Sequence, residues 1–352
     1  MPNNWFTFVA ITVVKSGILL LVLLTVVAYT VWLERKVIGH IQNRWGPTRV
    51  GPFGLLQLLA DGVKLLLKED ISLSGVYQPL YILAPILAVG LALTSISVIP
   101  IGESITVGGV PVQLQIADVN IALLVLLGVT SIGVYGIALA GWSSNSKYSL
   151  LGALRASAQM VSYELSLGLS LVGVLILAGS LSLRDIVDAQ AGTWYGVIPR
   201  WNIIPQGVAF FIYLTAAFAE TNRIPFDLPE GETELVAGYH TEYSSMKFAM
   251  FFMAEYTNMV TVACVATTIF LGGWHGPAIP WAPSMVQAVL PLFWFLIKVF
   301  FFLFLYIWVR GTLPRFRYDQ LMAFGWKFLF PLAVANLVVT ALVVALFGTS
   351  RG

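Results

Sequence analysis

Apolar residues occur along this chain in long blocks. Eight of these blocks approach or reach the roughly 17 to 25 residues that a helix needs to cross a bilayer core. They lie at about residues 17–33, 79–101, 118–141, 157–179, 204–221, 249–272, 286–309 and 326–347, the fifth being the shortest. The pattern predicts an all-α integral membrane protein of about eight transmembrane helices. Between the first two blocks, over 51–69, Leu55, Leu56, Leu58, Leu59, Val63 and Leu66 alternate with Asp61, Lys64 and Lys68. At 3.6 residues per turn this gives one apolar and one charged face, which predicts an amphipathic helix lying in the membrane interface. A plain loop helix docked on the protein is the alternative. No internal repeat or low-complexity linker divides the chain, so 1–352 reads as one polytopic domain.

Composition agrees with a bilayer as solvent. Charged residues make up 10% of the chain and hydrophobic ones 58%, with a mean hydropathy of +0.86; a soluble domain carries about 25% charged residues. A net charge of +2 gives no basic excess for nucleic acid. Cys264 is the single cysteine, and His40, His240 and His275 lie far apart, so no disulfide, haem or zinc site is expected. No Gly-x-Gly-x-x-Gly or P-loop pattern is present. The first apolar block lacks a cleavage site and reads as a retained span. Of the 19 Lys and Arg, alternate loops carry thirteen on one side and four on the other, and Lys298 and Lys327 fall within spans. By the positive-inside rule both termini face outward and the polar motif clusters face the cytoplasm.

The polar residues that interrupt the apolar pattern carry the candidate chemistry. An ionisable group at mid-membrane costs about 2.5 to 3.5 kcal/mol, so each is a functional candidate. Glu164 follows Arg155 by nine residues and Glu255 follows Lys247 by eight, which places both roughly 12 to 13 Å inside the same face. Glu220 closes the fifth block and Lys298 sits near the middle of the seventh. These groups either lock helices together as ion pairs, with Lys298 as a candidate partner, or relay protons, since a carboxylate in a low-dielectric interior exchanges protons near neutral pH. Asp118, at an outer helix start, reads as a cap. From Glu220 to Glu242 six carboxylates fall within 23 residues: Glu220, Asp227, Glu230, Glu232, Glu234 and Glu242, with Arg223 among them. Pro225, Pro229 and Gly231 stiffen that run, which suggests an acidic funnel into the bilayer in preference to a solvated loop. The third cluster, Glu34-Arg35-Lys36 through Gln42-Asn43-Arg44-Trp45-Gly46-Pro47, reads as a docking surface and doorway for a lipid-soluble substrate, or as a plain cationic anchor.

These motifs, with Ala60-Asp61-Gly62-Val63-Lys64, Gly141-Trp142-Ser143-Ser144-Asn145, Leu154 to Gln159 with Ser162-Tyr163-Glu164, Phe252-Met253-Ala254-Glu255-Tyr256 and Arg310 to Asp319, occur in one order over nearly the whole chain. In them the sequence closely resembles the NuoH-type membrane subunit of respiratory complex I. The resemblance implies eight spans and an interfacial helix that close the membrane end of a quinone cavity. It places Glu34, Arg35, Asp61, Arg223, Asp227, Glu230 and Glu232 at that cavity. Glu164, Glu220 and Glu255 fall on a proton path, with Glu234 and Glu242 joining the two sets. It implies quinone as substrate and no cofactor on this chain, with iron–sulfur clusters and FMN in partner subunits. The partners it implies are soluble quinone-site and iron–sulfur subunits, small membrane subunits and lipid, in a bacterial inner membrane. Two other readings stay open: a membrane-bound hydrogenase subunit, disfavoured by the dense acidic loop, and a stand-alone transporter, disfavoured by the lack of inverted repeats.

Overall fold

The computed structural model describes residues 5–72, 75–107, 110–194, 198–227, 237–277 and 283–347. Its helices are α1 (Trp5–Ile41), α2 (Gln57–Leu67), α3 (Gln78–Ser95), α4 (Ala122–Ser143), α5 (Lys147–Ala178), α6 (Leu183–Asp188), α7 (Gly207–Glu220), α8 (Ser245–Phe270), α9 (Ser284–Thr312), α10 (Tyr318–Phe324) and α11 (Phe330–Phe347). A π-helical turn, Gly325–Leu329, joins α10 to α11 in one continuous span. Two short antiparallel hairpins, β1 (Ile105–Val107) with β2 (Val110–Val112) and β3 (Thr193–Trp194) with β4 (Ile198–Pro199), are the only strands among the described residues. The all-α membrane architecture expected from the apolar blocks is what the chain adopts.

The blocks and the helices differ in three places. Among the described residues seven helices are by themselves long and apolar enough to cross a membrane, and the fifth block forms a shorter apolar helix of 14 residues, Gly207–Glu220. At 1.5 Å per residue that is about 21 Å, so a crossing at this block includes the turns that flank the helix. The remaining residues of the block go into turns, and α7 is held inside the bundle by α5, α8 and α11. Second, α5 begins at Lys147, so Glu164 lies about 26 Å from the start of its helix, farther than a count from Arg155 suggests. Third, Asp118 stands four residues before Ala122 and does not cap α4, whose N-cap position is Ile121.

Packing explains which helix is central. Every residue of α8 from Met259 to Phe270 is buried, as expected of a helix that is apolar all round and has neighbours on all sides. Helix α3 lies against α4 and α8, α5 against α4, α7 and α11, and α1 along the edge against α8 and α9. Small residues set the closest approaches, as is usual between helices in lipid. A β-carbon on Gly136 of α4 would stand 3.2 Å from Ala88 of α3, and one on Gly152 of α5 would stand 2.7 Å from Gly238. The second contact brings the end of the acidic run directly onto α5. Helix α2 is Gln57–Leu67, shorter than the expected 51–69 because Pro52–Gly54 forms a separate 3-10 turn. It has no buried residue, and Leu59, Val63, Leu66 and Leu67 are exposed along one face.

Candidate functional site

Four helix segments converge at one end of the bundle. Near the end of α1, Glu34 and Arg35 are consecutive and therefore point about 100° apart around the helix. Arg35 reaches Asp61 of α2 at 2.5 Å, and Gln57 also donates to Asp61 at 3.0 Å. Glu34 turns the other way, where it is 6% exposed. There its carboxylate pairs with Arg310 at the end of α9 and accepts a hydrogen bond of 2.9 Å from the Tyr256 hydroxyl of α8.

Helix α7 stops at Glu220, and the chain turns sharply through Thr221–Asp227. Asn222 adopts a left-handed conformation (φ 50°), which Asn tolerates better than most residues. Gln159 of α5 holds this turn from behind: its amide nitrogen donates to Ala219 O at 2.8 Å, to Phe226 O at 2.8 Å and to Asn222 Oδ1 at 3.2 Å. Three oxygens around one amide group fix its orientation, since the flipped rotamer would set oxygen against oxygen. The turn aims Arg223 at two acids at once. Its Nη1 lies 3.7 Å from Glu34 and its Nη2 lies 3.7 Å from Glu255, while its guanidinium stacks 4.0 Å above the ring of Tyr256. Asp227, at the end of the turn, pairs with Arg315 at 3.0 Å, and Phe316 N donates to Pro225 O at 3.0 Å, so the segment after α9 covers the turn.

Two cavities meet at this cluster. One of about 250 Å³ is lined by Val31, Glu34, Arg35, Ile38, Arg44, Phe252, Tyr256 and Arg310; Arg35 and Arg44 are exposed, so it reaches the surface. The other, about 40 Å³, lies among α3, α4, α5, α7 and α8, and Thr130, Glu220, Thr221, Asn222, Tyr239, Glu255 and Asn258 are its polar lining. That volume suits about three water molecules. Glu164 is outside this lining; it accepts a hydrogen bond from Ser131 of α4 and is an electrostatic neighbour of Glu220.

The structure therefore brings Glu34, Arg223 and Glu255 into one cluster, with Glu220 across the smaller cavity. The two sets of residues that the resemblance joined through Glu234 and Glu242 touch here through Arg223. Arg35 with Asp61, and Asp227 with Arg315, form separate pairs beside it. Glu242 is half-buried and lines neither cavity; its backbone carbonyl accepts from Tyr81 at 2.6 Å, next to the stacked Tyr81–Tyr243 pair. Burial pushes the Tyr243 hydroxyl up to about 12, against hydrogen bonds to Ser143 and Ser144 that pull it down, so it stays a neutral donor. Glu230, Glu232 and Glu234 lie outside the described residues.

Lys298 is not the partner of a buried acid. Its ammonium donates to the carbonyls of Leu271, Gly273 and His275 at 2.7, 2.9 and 2.6 Å and lies over the ring of Trp201. It closes the C-terminal end of α8, where helix carbonyls lack intrahelical donors. Next to it, burial lowers the pKa of His275 despite the opposing pull of Asp188 and Glu103. Sequence reasoning missed Gln159, Tyr256, Arg310 and Arg315 as site residues. All four stand inside the quoted motifs, where their residue types alone gave them no role at the site.

A carboxylate–arginine cluster inside an apolar bundle, beside a small cavity, marks a polytopic membrane protein with ionisable groups buried among its helices. Comparison with known proteins gives the family. The family model described as NADH dehydrogenase matches residues 14–341. An NADH-quinone oxidoreductase subunit of the H type from Koribacter versatilis is 67% identical over 96% of this chain and 98% of its own. The corresponding H-type proteins of Solibacter usitatus and Thermomicrobium roseum are 50% and 52% identical, over 96% and 93% of this chain and 98% and 94% of their own. The chain belongs to the NADH dehydrogenase family, among its H-type membrane members.

Proposed function

We propose that this chain is the membrane subunit of a bacterial proton-translocating NADH:quinone oxidoreductase. In this reading it forms the membrane end of the quinone cavity and couples quinone reduction to proton movement through buried carboxylates. The observation that carries the reading is the position of Arg223. It stands between Glu34, which lines the cavity that reaches the surface, and Glu255, which lines the interior one. Charge appearing in the first cavity is thus felt in the second at ion-pair range, where a unit charge at about 4 Å is worth roughly 4 kcal/mol at an effective dielectric of 20. The route continues from Glu255 across the small cavity to Glu220 and Glu164. Glu230, Glu232, Glu234 and Glu242 lie along its approach in the sequence. Quinone is the substrate, and electrons arrive from FMN and iron–sulfur clusters in partner subunits docked at the end that bears Glu34. The chain is multi-pass in the inner membrane with both termini outside.

The doorway is tested by Arg35→Ala, which removes one of the two exposed cations that line the surface-reaching cavity and leaves Asp61 with Gln57. In the assembled complex the apparent KM for quinone is expected to rise about tenfold, as for loss of one hydrogen bond to a charged group. An unchanged KM would count against this entrance. Topology is tested by cysteine labelling from each side of sealed vesicles: Glu69→Cys is expected to label only from the cytoplasmic side and Arg200→Cys only from outside. The reverse pattern would reject the orientation.

A further inference from the structure

We propose that His275 is a pH-sensitive latch on the outer end of α8, opened by protonation from the outer face. The side it faces rests on the proposed function; the latch itself rests on contacts within this chain. The end of α8 is held in two ways. On one side the donors are neutral and fixed: Gln190 donates to Thr268 O at 3.0 Å, Asn202 to Ile269 O at 2.9 Å and Ile203 N to Phe270 O at 3.0 Å. The chain then turns through Gly272 and Gly273, both left-handed (φ 69° and 53°). A β-carbon on either would stand 2.8 Å from Trp201 or Val187, so the turn is wedged between those side chains. On the other side the holder is a charge, the ammonium of Lys298, which donates to the carbonyls of Leu271, Gly273 and His275. Leu271 and Gly273 belong to the wedged turn. His275 lies beyond it, so its carbonyl is the contact with Lys298 that can be given up alone.

The ring of the same residue carries the trigger. Its Nε2 is buried, makes no hydrogen bond among the described residues and lies 4.0 Å from Oδ1 of Asp188, the last residue of α6. That is too long for a hydrogen bond and short enough for a charge to be felt. Asp188 is exposed and His275 half-buried, so protons from water reach the pair. The other charges facing the ring are Glu103, between α3 and α4, and Lys298 on α9. Residues 278–282, which follow, contain no titratable side chain. While the ring is neutral, Asp188 has little hold on it and Lys298 keeps the carbonyl. Once protonated, the imidazolium is drawn toward Asp188, about 1 Å short of hydrogen-bond range, and is repelled by the ammonium that its own carbonyl binds. Both forces pull residue 275 off Lys298. Burial holds the pKa of His275 below that of a free histidine. The closed latch therefore favours the neutral ring; its stability is present above the free value of about 6.5 and is lost as pH falls below it. Acid on the outer face opens the latch. Because α8 also carries Glu255 and Tyr256, protons accumulating outside then act on the helix that bears the site, as a feedback on turnover.

The experiment is hydrogen exchange of the intact complex, read by mass spectrometry over residues 271–277 at about pH 7.5 and about pH 5.5, either side of the free histidine value. Rates are corrected for the intrinsic pH dependence of exchange. The reporter is the amide of His275, which donates to Gly272 O at 2.9 Å. One proton taken up on opening is expected to raise its exchange by up to about tenfold at the lower pH, which lies one unit below that value. The amide of Ile203, on the neutral side, is expected to keep its protection. His275→Gln stays polar and cannot ionise, so it is expected to abolish the response. Unchanged protection in the wild type would overturn the latch, and that result needs no variant to assemble. A response that persists in His275→Gln, or equal loosening at Ile203, would overturn it as well. Turnover is read separately in sealed vesicles with the outer side acidified and the cytoplasmic side held at about pH 7.5. Wild type and His275→Gln face the same proton gradient there, and the wild type is expected to be the slower. Equal rates beside the expected exchange would reject the feedback and leave the latch standing. Reversed labelling of Arg200→Cys would sink the proposed orientation and put the same latch on the cytoplasmic face.

Discussion

Complex carrying Glu255→Gln is expected to assemble normally and to lose proton-coupled quinone reduction by about two orders of magnitude or more, the usual scale for removal of an acid–base group. Gln keeps the shape of Glu and cannot ionise. Whether assembly survives depends on what the lost charge leaves behind, because removal of one partner from a buried ion pair costs about 3 to 5 kcal/mol. Here Arg223 retains Glu34 at 3.7 Å and the face of Tyr256, so the cation is not stranded. The structure thus separates two outcomes that the sequence alone left entangled. Quinone reductase activity and proton uptake are measured in vesicles containing the assembled variant. Wild-type rates of both would reject a relay through Glu255, and loss of assembly would show that the acid serves chiefly as a structural partner.

The second large effect belongs to a residue that carries no charge. Gln159→Leu is expected to destabilise the protein by roughly 3 kcal/mol or more, because each buried polar group left unpaired costs about 1 to 3 kcal/mol. The Phe226 carbonyl and the Asn222 side-chain oxygen would lose their donor, and Ala219 O would keep only its backbone donors. The damage reaches the site, since the same turn carries Arg223. Gln159→Glu, nearly isosteric, is expected to be at least as harmful, because it sets an anionic oxygen against three acceptors. Thermal dissociation of the complex and retention of this chain after detergent extraction measure both variants. A harmless Gln159→Glu would show that volume at this position matters more than its hydrogen bonds.

How much of this could be read from the chain follows from which properties are local. A span is a run of apolar residues long enough for the bilayer, so α1, α3, α4, α5, α8, α9 and the last span were legible from the sequence. The amphipathic α2 was legible for the same reason. The length of the fifth helix was not legible, because hydropathy registers burial in protein and burial in lipid alike, and α7 is short and packed among other helices. Motif residues were also legible as types, since an acid in an apolar run is conspicuous at any position.

Their partnerships were not. Glu34 meets Arg310 across 276 positions of sequence, and Gln159 meets Ala219 across 60. No periodicity links residues so far apart; the packing of α1, α8 and α9, and the direction each side chain takes from its helix, decide them. That is why Lys298, a plausible partner by depth, instead closes the end of α8. Arg223, one basic residue in an acidic run, becomes the junction of two cavities for the same reason. The sequence by itself determined the solvent, the spans, the family and the candidate acids, because each depends on composition or on residues close in the chain. The tertiary structure decided which acids share a cation and which share a cavity, because a charge in a low-dielectric interior is set by its neighbours in space.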